Sequence, residues 1–209
     1  MEYETRFYYS IDSLKGIIDK LSSFKELTPS LRTYEKTIQY NHCSPEYNFY
    51  SKEIDGRFRI RISLNDESSN AKISWKRRLP STLATDINKE EEKEVHFSYG
   101  DLDNLLYIIE NVQHFKLVES YERYRTTFSN EDIEISVDEY PFGVALEIEN
   151  KSETKNPEET VKKWIKNLGL NINDSYRLSW DDKYKELCEE QHIDRQNVVA
   201  FNKKMPSIK

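Results

Sequence analysis

The feature that most constrains the fold is a regular alternation of charged and apolar residues, which begins with the first residues of the chain. Residues 2–7 read Glu-Tyr-Glu-Thr-Arg-Phe. Side chains two positions apart in a β-strand lie on the same face of that strand. The segment therefore predicts a strand with one charged face and one apolar or aromatic face.

The same alternation recurs in six further segments: 57–62, 73–78, 92–97, 123–125, 134–138 and 146–149. If these strands share one sheet, their charged sides form one surface and their apolar sides form another. Such a sheet can curl into a barrel with a polar lumen and with helices packed on its outside. We therefore predict an α+β fold with roughly eight strands and with helices between and after them.

The ordinary explanation of one charged strand face is contact with solvent, and any single segment above has that explanation. Several segments, however, carry like charges two residues apart, such as Arg59 with Arg61 and Glu147 with Glu149. Like charges this close repel each other unless a counter-ion or an oppositely charged row lies between them. A lumen that combines Arg and Lys with Glu and Asp suits a polyanion bound together with Mg²⁺ or Mn²⁺.

Length and composition favour one large domain. The chain has 209 residues, of which 36% are hydrophobic and 12% aromatic, and we assign residues 1–192 to one domain. Residues 193–209 are predicted to be a basic, poorly ordered tail. The net charge of −7 gives no overall basic surface for duplex DNA.

The chain is expected to be cytoplasmic. It has two cysteines, which form neither a disulfide framework nor a zinc site. No apolar run approaches ~18 residues, and we find no signal peptide, so no membrane association is expected.

Hydrophobic periodicity and end signals predict the individual elements. Helices are expected after Ser10, after Asp101 or Asp103, from Asn156 to Leu168, and over 181–190. Further strands are expected over 32–40, 47–52, 117–128, 131–138 and 143–150.

With these charged rows established, the chain resembles the CYTH superfamily, the triphosphate tunnel metalloenzymes. The resemblance spans about residues 1–190 and rests on motifs in the order of the family. They are Glu2-Tyr-Glu4-Thr-Arg6, Asp55-Gly-Arg-Phe-Arg59-Ile-Arg61, Ser-Trp-Lys76, Glu92-Lys-Glu94, Arg125, and the hairpin from Asp138 to Gly143 followed by Glu147-Ile-Glu149. One position departs from the family pattern, because Arg6 stands where the family has Lys. Arg is also compatible with the RNA triphosphatase branch.

The resemblance implies an antiparallel eight-stranded β-barrel, the triphosphate tunnel, that binds a triphosphate end-on. It implies phosphate binding by Arg59, Arg61, Lys76, Arg123 and Arg125. It implies that Mg²⁺ or Mn²⁺ is held by Glu2, Glu4, Asp138, Glu147 and Glu149. Catalytic roles fall on Glu2, Glu4, Arg6 and Lys76, and the tunnel is further lined by Arg57, Glu92, Glu94 and Glu134.

Three functions are open at this point. The first is metal-dependent hydrolysis of a triphosphate-containing small molecule or of an RNA 5′-triphosphate end. The second is a class IV adenylate cyclase, which would make cyclic AMP from ATP in the same tunnel. The third is a non-catalytic module that binds polyphosphate or nucleotides. The chain is expected to act as a monomer or a homodimer.

Overall fold

A curled β-sheet with helices on its outer side forms the body of the protein. The structure is a computed structural model that describes residues 2–79, 88–151 and 156–209, without the side chains of Glu2, Asn88 and Lys89. The strands are β1 (Glu2–Tyr9), β2 (Thr28–Pro29), β3 (Thr33–Asn41), β4 (Gly56–Leu64), β5 (Ser69–Arg78), β6 (Asn88–Ser98), β7 (Lys116–Ser129), β8 (Ile133–Tyr140), β9 (Gly143–Asn150) and β10 (Val198–Val199). The helices are α1 (Leu14–Ser22), α2 (Leu102–Tyr107), α3 (Pro157–Asn167) and α4 (Trp180–Glu190).

Eight long strands pair in the order β7-β3-β4-β5-β6-β1-β9-β8, and β8 also pairs with β7. All eight of these pairings are antiparallel. The two ends of the sheet meet because β7 is 14 residues long: its first part pairs with β3 and its last part with β8. The predicted α+β class and the curled antiparallel sheet of eight strands are confirmed.

The apolar sides of the strands face outward and are covered by the helices. Phe7, Ile135 and Leu146 pack with Trp164 of α3 in the largest buried cluster. A second buried cluster joins the sheet to α4, and a third joins it to α2. Because the outer face of the sheet carries the core, the charged side of each strand is left for the lumen.

The strand predicted over residues 47–52 is wrong. The chain forms a 3₁₀ turn at Pro45–Tyr47 and further turns up to β4. Asparagine side chains favour this loop, because Asn41 Oδ1 accepts hydrogen bonds from the backbone N–H groups of His42 and Phe49. The aromatic residues that imitate a strand pattern instead form a cluster of rings beside the barrel, in which Phe49 contacts Phe58 and Trp75.

Residues 193–209, which we call the C-terminal strap, pack against the barrel, although the sequence predicts a poorly ordered tail. β10 pairs with β7 in parallel, and Val199 and Ala200 are buried. Near the end of the strap, the backbone N–H of Ile208 donates to Phe142 O at 2.8 Å. Single apolar residues at irregular intervals make these contacts, so hydrophobic periodicity does not predict that the segment is ordered.

A membrane-spanning helix does not occur among the described residues, since none of their helices is both long and apolar enough to cross a bilayer.

Candidate active site

The lumen of the barrel contains a cavity of about 450 Å³ with a strongly charged lining. Among the described residues, nine basic and nine acidic side chains line it. They are Arg6, Arg57, Arg59, Arg61, Lys72, Lys76, Arg78, Arg123 and Arg125, and Glu4, Asp55, Glu90, Glu92, Glu94, Glu134, Glu147, Glu149 and Asp181. The formal charge of this lining is close to zero.

Strand register brings the charged rows of the sequence together. On β1 and β9, Glu4 lies opposite Glu149 and Arg6 lies opposite Glu147. On β4 and β5, Arg57 lies opposite Lys76. Opposed residues in a sheet point to the same face, so these pairs extend across one continuous inner surface.

Three carboxylates converge at one place in the lumen. Glu4, Glu147 and Glu149 each offer an oxygen atom, and these atoms all lie within 4.8 Å of one another. The pKa of Glu4 is raised to about 7. Burial is the main cause and the nearby Glu90 and Glu147 add to it, whereas Lys76 acts in the opposite direction. Burial alone would also raise the pKa of Glu147, but Arg6 and Arg125 hold that pKa well below its usual range.

This donor set fits Mg²⁺ or Mn²⁺. Both ions prefer oxygen ligands, and carboxylates that crowd together in a buried place gain from a divalent charge between them. The raised pKa of Glu4 reflects a carboxylate for which the surrounding cations do not fully compensate burial.

Lys76 of β5 binds carboxylates on two acidic strands, β1 and β6. Its Nζ atom lies 2.9 Å from Glu4 Oε2, 3.0 Å from Glu90 Oε2 and 3.6 Å from Glu92 Oε2. Burial alone would lower the pKa of Lys76, but the surrounding carboxylates raise it well above its ordinary value. The side chain is therefore a permanent cation in the lumen.

The arginines of β4 and β7 form the basic wall of the cavity. Arg59 donates to Glu92 at 2.8 Å, and Arg61 lies 3.7 Å from Glu35. Arg123 binds Glu35 and also donates to Asp138 Oδ2 at 2.7 Å.

Asp138 occupies a different position from the other predicted metal ligands. It is fully buried, and Arg125 donates to both of its carboxylate oxygens at 2.6 Å. Arg123 binds the same carboxylate. The structure thus places Asp138 behind the arginines, where it orients them, and outside the group formed by Glu4, Glu147 and Glu149.

The remaining predicted site residues lie along the same lumen. Arg57 lies under the loop before β4, with its guanidinium 4.6 Å from the centre of the Tyr50 ring. Glu94 pairs with Lys72, and Glu134 lines the cavity. The side chain of Glu2 is outside the described residues, so its predicted role stays a prediction.

Several residues that line the cavity, or that bind its arginines as Glu35 does, are not among the sequence candidates. Glu90 lies in the acidic stretch that precedes Glu92, and the polar alternation of 33–39 could have indicated Glu35. Tyr121, Trp180 and Asp181 also contribute to the cavity wall. The helix that carries the last two is predictable from the sequence, but the contact of its first residues with the cavity is not.

No family model matches the sequence, and no curated protein does. Solved structures do share its architecture. A conserved hypothetical protein from Pyrococcus furiosus aligns with a TM-score of 0.66 at 16% identity, over 87% of this chain and 99% of that one. A candidate adenylate cyclase from Vibrio parahaemolyticus aligns with a TM-score of 0.63 at 13% identity, over 87% and 95%.

A third structure, a candidate adenylyl cyclase from Hippeastrum described as having a dominant triphosphatase activity, aligns with a TM-score of 0.59 at 15% identity, over 89% of this chain and 96% of that one. The chain has the CYTH fold. At these identities the similarity establishes the CYTH fold alone, and function has to be argued from the residues in the lumen.

Proposed function

We propose that this CYTH-fold protein is a metal-dependent triphosphatase, which hydrolyses a phosphoanhydride bond of a triphosphate-containing substrate in its lumen. One observation carries the proposal. A group of three carboxylates, Glu4, Glu147 and Glu149, shares a cavity of about 450 Å³ with a wall of arginines and with Lys76.

Charge balance supports a requirement for metal. The lining holds equal numbers of acidic and basic side chains, so a bare polyanion would enter a site with no surplus positive charge. A triphosphate that arrives with a divalent cation brings its own counter-charge, and the carboxylates then bind the cation while the arginines bind the phosphates.

The residues of the chain would position and neutralise the substrate. Arg59, Arg61 and Arg125 present guanidinium groups that bind phosphoryl oxygens, and Arg123 completes the basic wall. Lys76 adds a fixed positive charge where negative charge develops on the transferred phosphoryl group. When bound, the divalent ion supplies Lewis-acid polarisation of a phosphoryl oxygen and lowers the pKa of a water ligand.

Arg6 would act on the carboxylates themselves. Its Nε atom donates to Glu147 Oε2 at 2.8 Å, and its Nη2 atom lies 3.4 Å from Glu4 Oε1. It would therefore fix the orientation of both side chains, which share the carboxylate group with Glu149. We retain Glu2 as a proposed further ligand on the same strand.

The test is phosphate release from inorganic triphosphate, ATP, thiamine triphosphate and triphosphorylated RNA, each with Mg²⁺ and with Mn²⁺. At least one substrate should be hydrolysed only when a divalent ion is present. Glu4→Gln and Glu149→Gln should each lower the rate by about 10²–10³-fold, because each removes a charged ligand. Glu131→Gln, which changes an exposed carboxylate outside the barrel, is the matched control and should keep full activity. Normal rates in both lumen variants would overturn the proposal.

A cyclase is the second candidate, because proteins of the same fold include candidate adenylate cyclases. Incubation with ATP separates the two reactions. A triphosphatase yields ADP and phosphate, whereas a cyclase yields cyclic AMP and pyrophosphate. Tight binding of triphosphates without any turnover, in either metal, would instead support a non-catalytic binding module.

A further inference from the structure

Tyr121 is a buried tyrosine in the basic wall of the cavity. It lies on β7, two residues before Arg123, and its side chain lines the lumen with only 2% of the residue exposed. One face of its ring packs on Trp180 of α4, with the ring centres 4.2 Å apart. The ring is therefore fixed, and its hydroxyl group has a defined position among the arginines.

The contacts of this hydroxyl group tie it to the phosphate-binding side chains. Thr37 lies opposite Tyr121 on β3, and its hydroxyl group helps to lower the pKa of the phenol. Arg61 Nε in turn donates to Thr37 Oγ1 at 3.2 Å. Tyr121 thus lies beside the Thr37 hydroxyl group that Arg61 contacts, and its side chain lines the lumen where an acceptor for its proton would enter.

We propose that the Tyr121 hydroxyl group donates a hydrogen bond to a phosphoryl oxygen of the bound triphosphate, so that substrate affinity depends on this proton. The inference rests on the proposed function, since it takes the polyanion of that site as the acceptor. It adds a neutral donor beside the guanidinium groups of the basic wall. A hydroxyl donor distinguishes between ligands by the position of their acceptor atoms, because its hydrogen bond is strong only when the acceptor lies in line with the O–H bond.

The electrostatic surroundings of Tyr121 agree with this role. Burial alone would raise its pKa, but Arg61, Arg123 and Arg59 lower it to about 8. Two other titratable groups are near Tyr121: Tyr140 of β8, with its ring centre 5.8 Å away, and Glu119, two residues earlier on β7. Trp180 of α4, which packs on the ring, carries no charge. A polyanion bound to the same arginines would cancel much of their field and favour the protonated phenol.

The pH dependence follows from this exchange. Below about pH 8 the empty site already holds the proton that the ligand needs. Above that pH the empty site holds a phenolate, so that binding has to take up a proton and the affinity falls by up to about tenfold per pH unit.

The first measurement is a pH titration of tyrosinate by ultraviolet absorbance in the folded protein. One tyrosine should ionise well before the others in the wild type. The transition should vanish in Tyr121→Phe and persist in Tyr140→Phe. Tyr140 is the matched control, because its hydroxyl group lies 3.3 Å from Arg123 in the same cavity but its pKa is raised. Imidotriphosphate, a hydrolysis-resistant triphosphate analogue, should shift the transition to higher pH when added with Mg²⁺.

The second measurement is calorimetric binding of imidotriphosphate with Mg²⁺ at several pH values. Tyr121→Phe should bind about 10- to 100-fold more weakly at neutral pH, because a hydrogen bond to a charged acceptor is lost. It should also lose the decline in affinity above pH 8. Tyr34→Phe, which removes a hydroxyl group on the outer side of β3, should match the wild type.

The outcomes separate the two proposals. Equal affinities for wild type and Tyr121→Phe, with a tyrosinate transition that the ligand does not move, would overturn the role of Tyr121 and leave the triphosphate site standing. Failure of the wild type to bind imidotriphosphate at all would overturn both.

Discussion

Glu119 shows how the interior of this barrel changes the chemistry of a single carboxyl group. The residue is only 4% exposed, accepts a hydrogen bond from Gln39 Nε2 at 2.9 Å, and has Arg195 at 3.3 Å. Burial raises its pKa to about 7, Asp181 adds to the increase, and Arg195 partly opposes it. The carboxyl group of Glu119, which is bonded to Gln39 of the cavity lining, therefore titrates near neutral pH.

The substitution Glu119→Gln should reduce the dependence of stability on pH. The folded state keeps the Glu119 proton up to about pH 7, whereas the unfolded chain releases it near the ordinary value of 4.5. The folded state therefore binds more protons in this window, and the free energy of unfolding of the wild type falls as the pH rises through it. Between pH 5 and pH 8 the variant should gain about 1–3 kcal/mol relative to the wild type.

Urea denaturation at both pH values measures this difference, with Glu131→Gln as an exposed control. If the free energies of unfolding of wild type and Glu119→Gln differed by the same amount at pH 5 and pH 8, Glu119 would not be buried and protonated as described.

For single residues, the sequence predicts which side chains face the lumen better than it predicts which partners each of them contacts. The face on which a side chain lies follows from the period of two within a strand, and Arg59, Arg61 and Lys76 line the lumen in the structure. Contacts across the barrel depend on register and curvature, which do not follow from local sequence. Asp138 is the clearest case, because only the closed sheet shows that Arg123 and Arg125 occupy its carboxylate.

The hairpin between β8 and β9 depends on one glycine. Gly143 begins β9 with a φ of 153°, a backbone conformation that side chains disfavour. A Cβ atom there would lie 2.6 Å from Ile208 Cδ1 and 2.8 Å from the backbone oxygen of Tyr9. The hairpin, β1 and the C-terminal strap approach one another so closely at Gly143 that a side chain does not fit there.

Gly143→Ala should destabilise the protein by about 2–4 kcal/mol, through an unfavourable backbone conformation and a collision with fixed backbone. Gly16→Ala is the matched control, because Gly16 is exposed in α1 and has no atom within 4 Å of an added Cβ. It should stabilise the protein by about 0.5–1 kcal/mol. Thermal unfolding of both variants tests the pair, and a tolerated Gly143→Ala would contradict the close packing described for this hairpin.

Elements with a strong periodic signal are the predictable ones. The charged strands and the helix that begins at Pro157 have such signals, and the structure contains them. The segment 47–52 shows the opposite situation. Its aromatic residues imitate a strand, but the side-chain oxygens of Asn41 and Asn48 accept hydrogen bonds from backbone N–H groups and stabilise turns instead.

For the molecule as a whole, the C-terminal strap fastens α4 and the hairpin to each other. Gln191, at the end of α4, donates to Ser207 O at 2.7 Å and accepts from Ser207 N at 3.0 Å. β10 extends the sheet beside β7, and Phe201 packs on Tyr124. Since Trp180 at the other end of α4 lines the cavity, the strap supports one wall of the site from outside.

Removal of residues 197–209 should lower the free energy of unfolding by about 3–5 kcal/mol, because Val199 and Ala200 lose their burial and β7 loses a parallel partner. Removal of Lys209 alone serves as the control and should have no measurable effect. Urea denaturation of the two truncated chains measures the difference. An unchanged midpoint for the longer truncation would show that the strap does not stabilise the fold.

Closure of the sheet is the property of the whole molecule that local sequence does not encode. It requires β7 to pair with β3 along one part and with β8 along another. This arrangement lets Arg123 of β7 bind Glu35 of β3 and Asp138 of β8 at the same time. The alternation of charges indicated that the sheet could curl into a barrel, and the resemblance of the motifs to a family with a known tunnel implied the closed barrel of eight strands.

The most direct test of this account is diffraction from crystals grown with Mn²⁺ and imidotriphosphate, with the ion located by its anomalous signal. We predict a manganese peak bound by Glu4, Glu147 and Glu149, with the phosphate chain extending from it to Arg59, Arg61 and Arg125. A lumen free of both ion and phosphate, with either of them bound at the outer surface instead, would contradict the account.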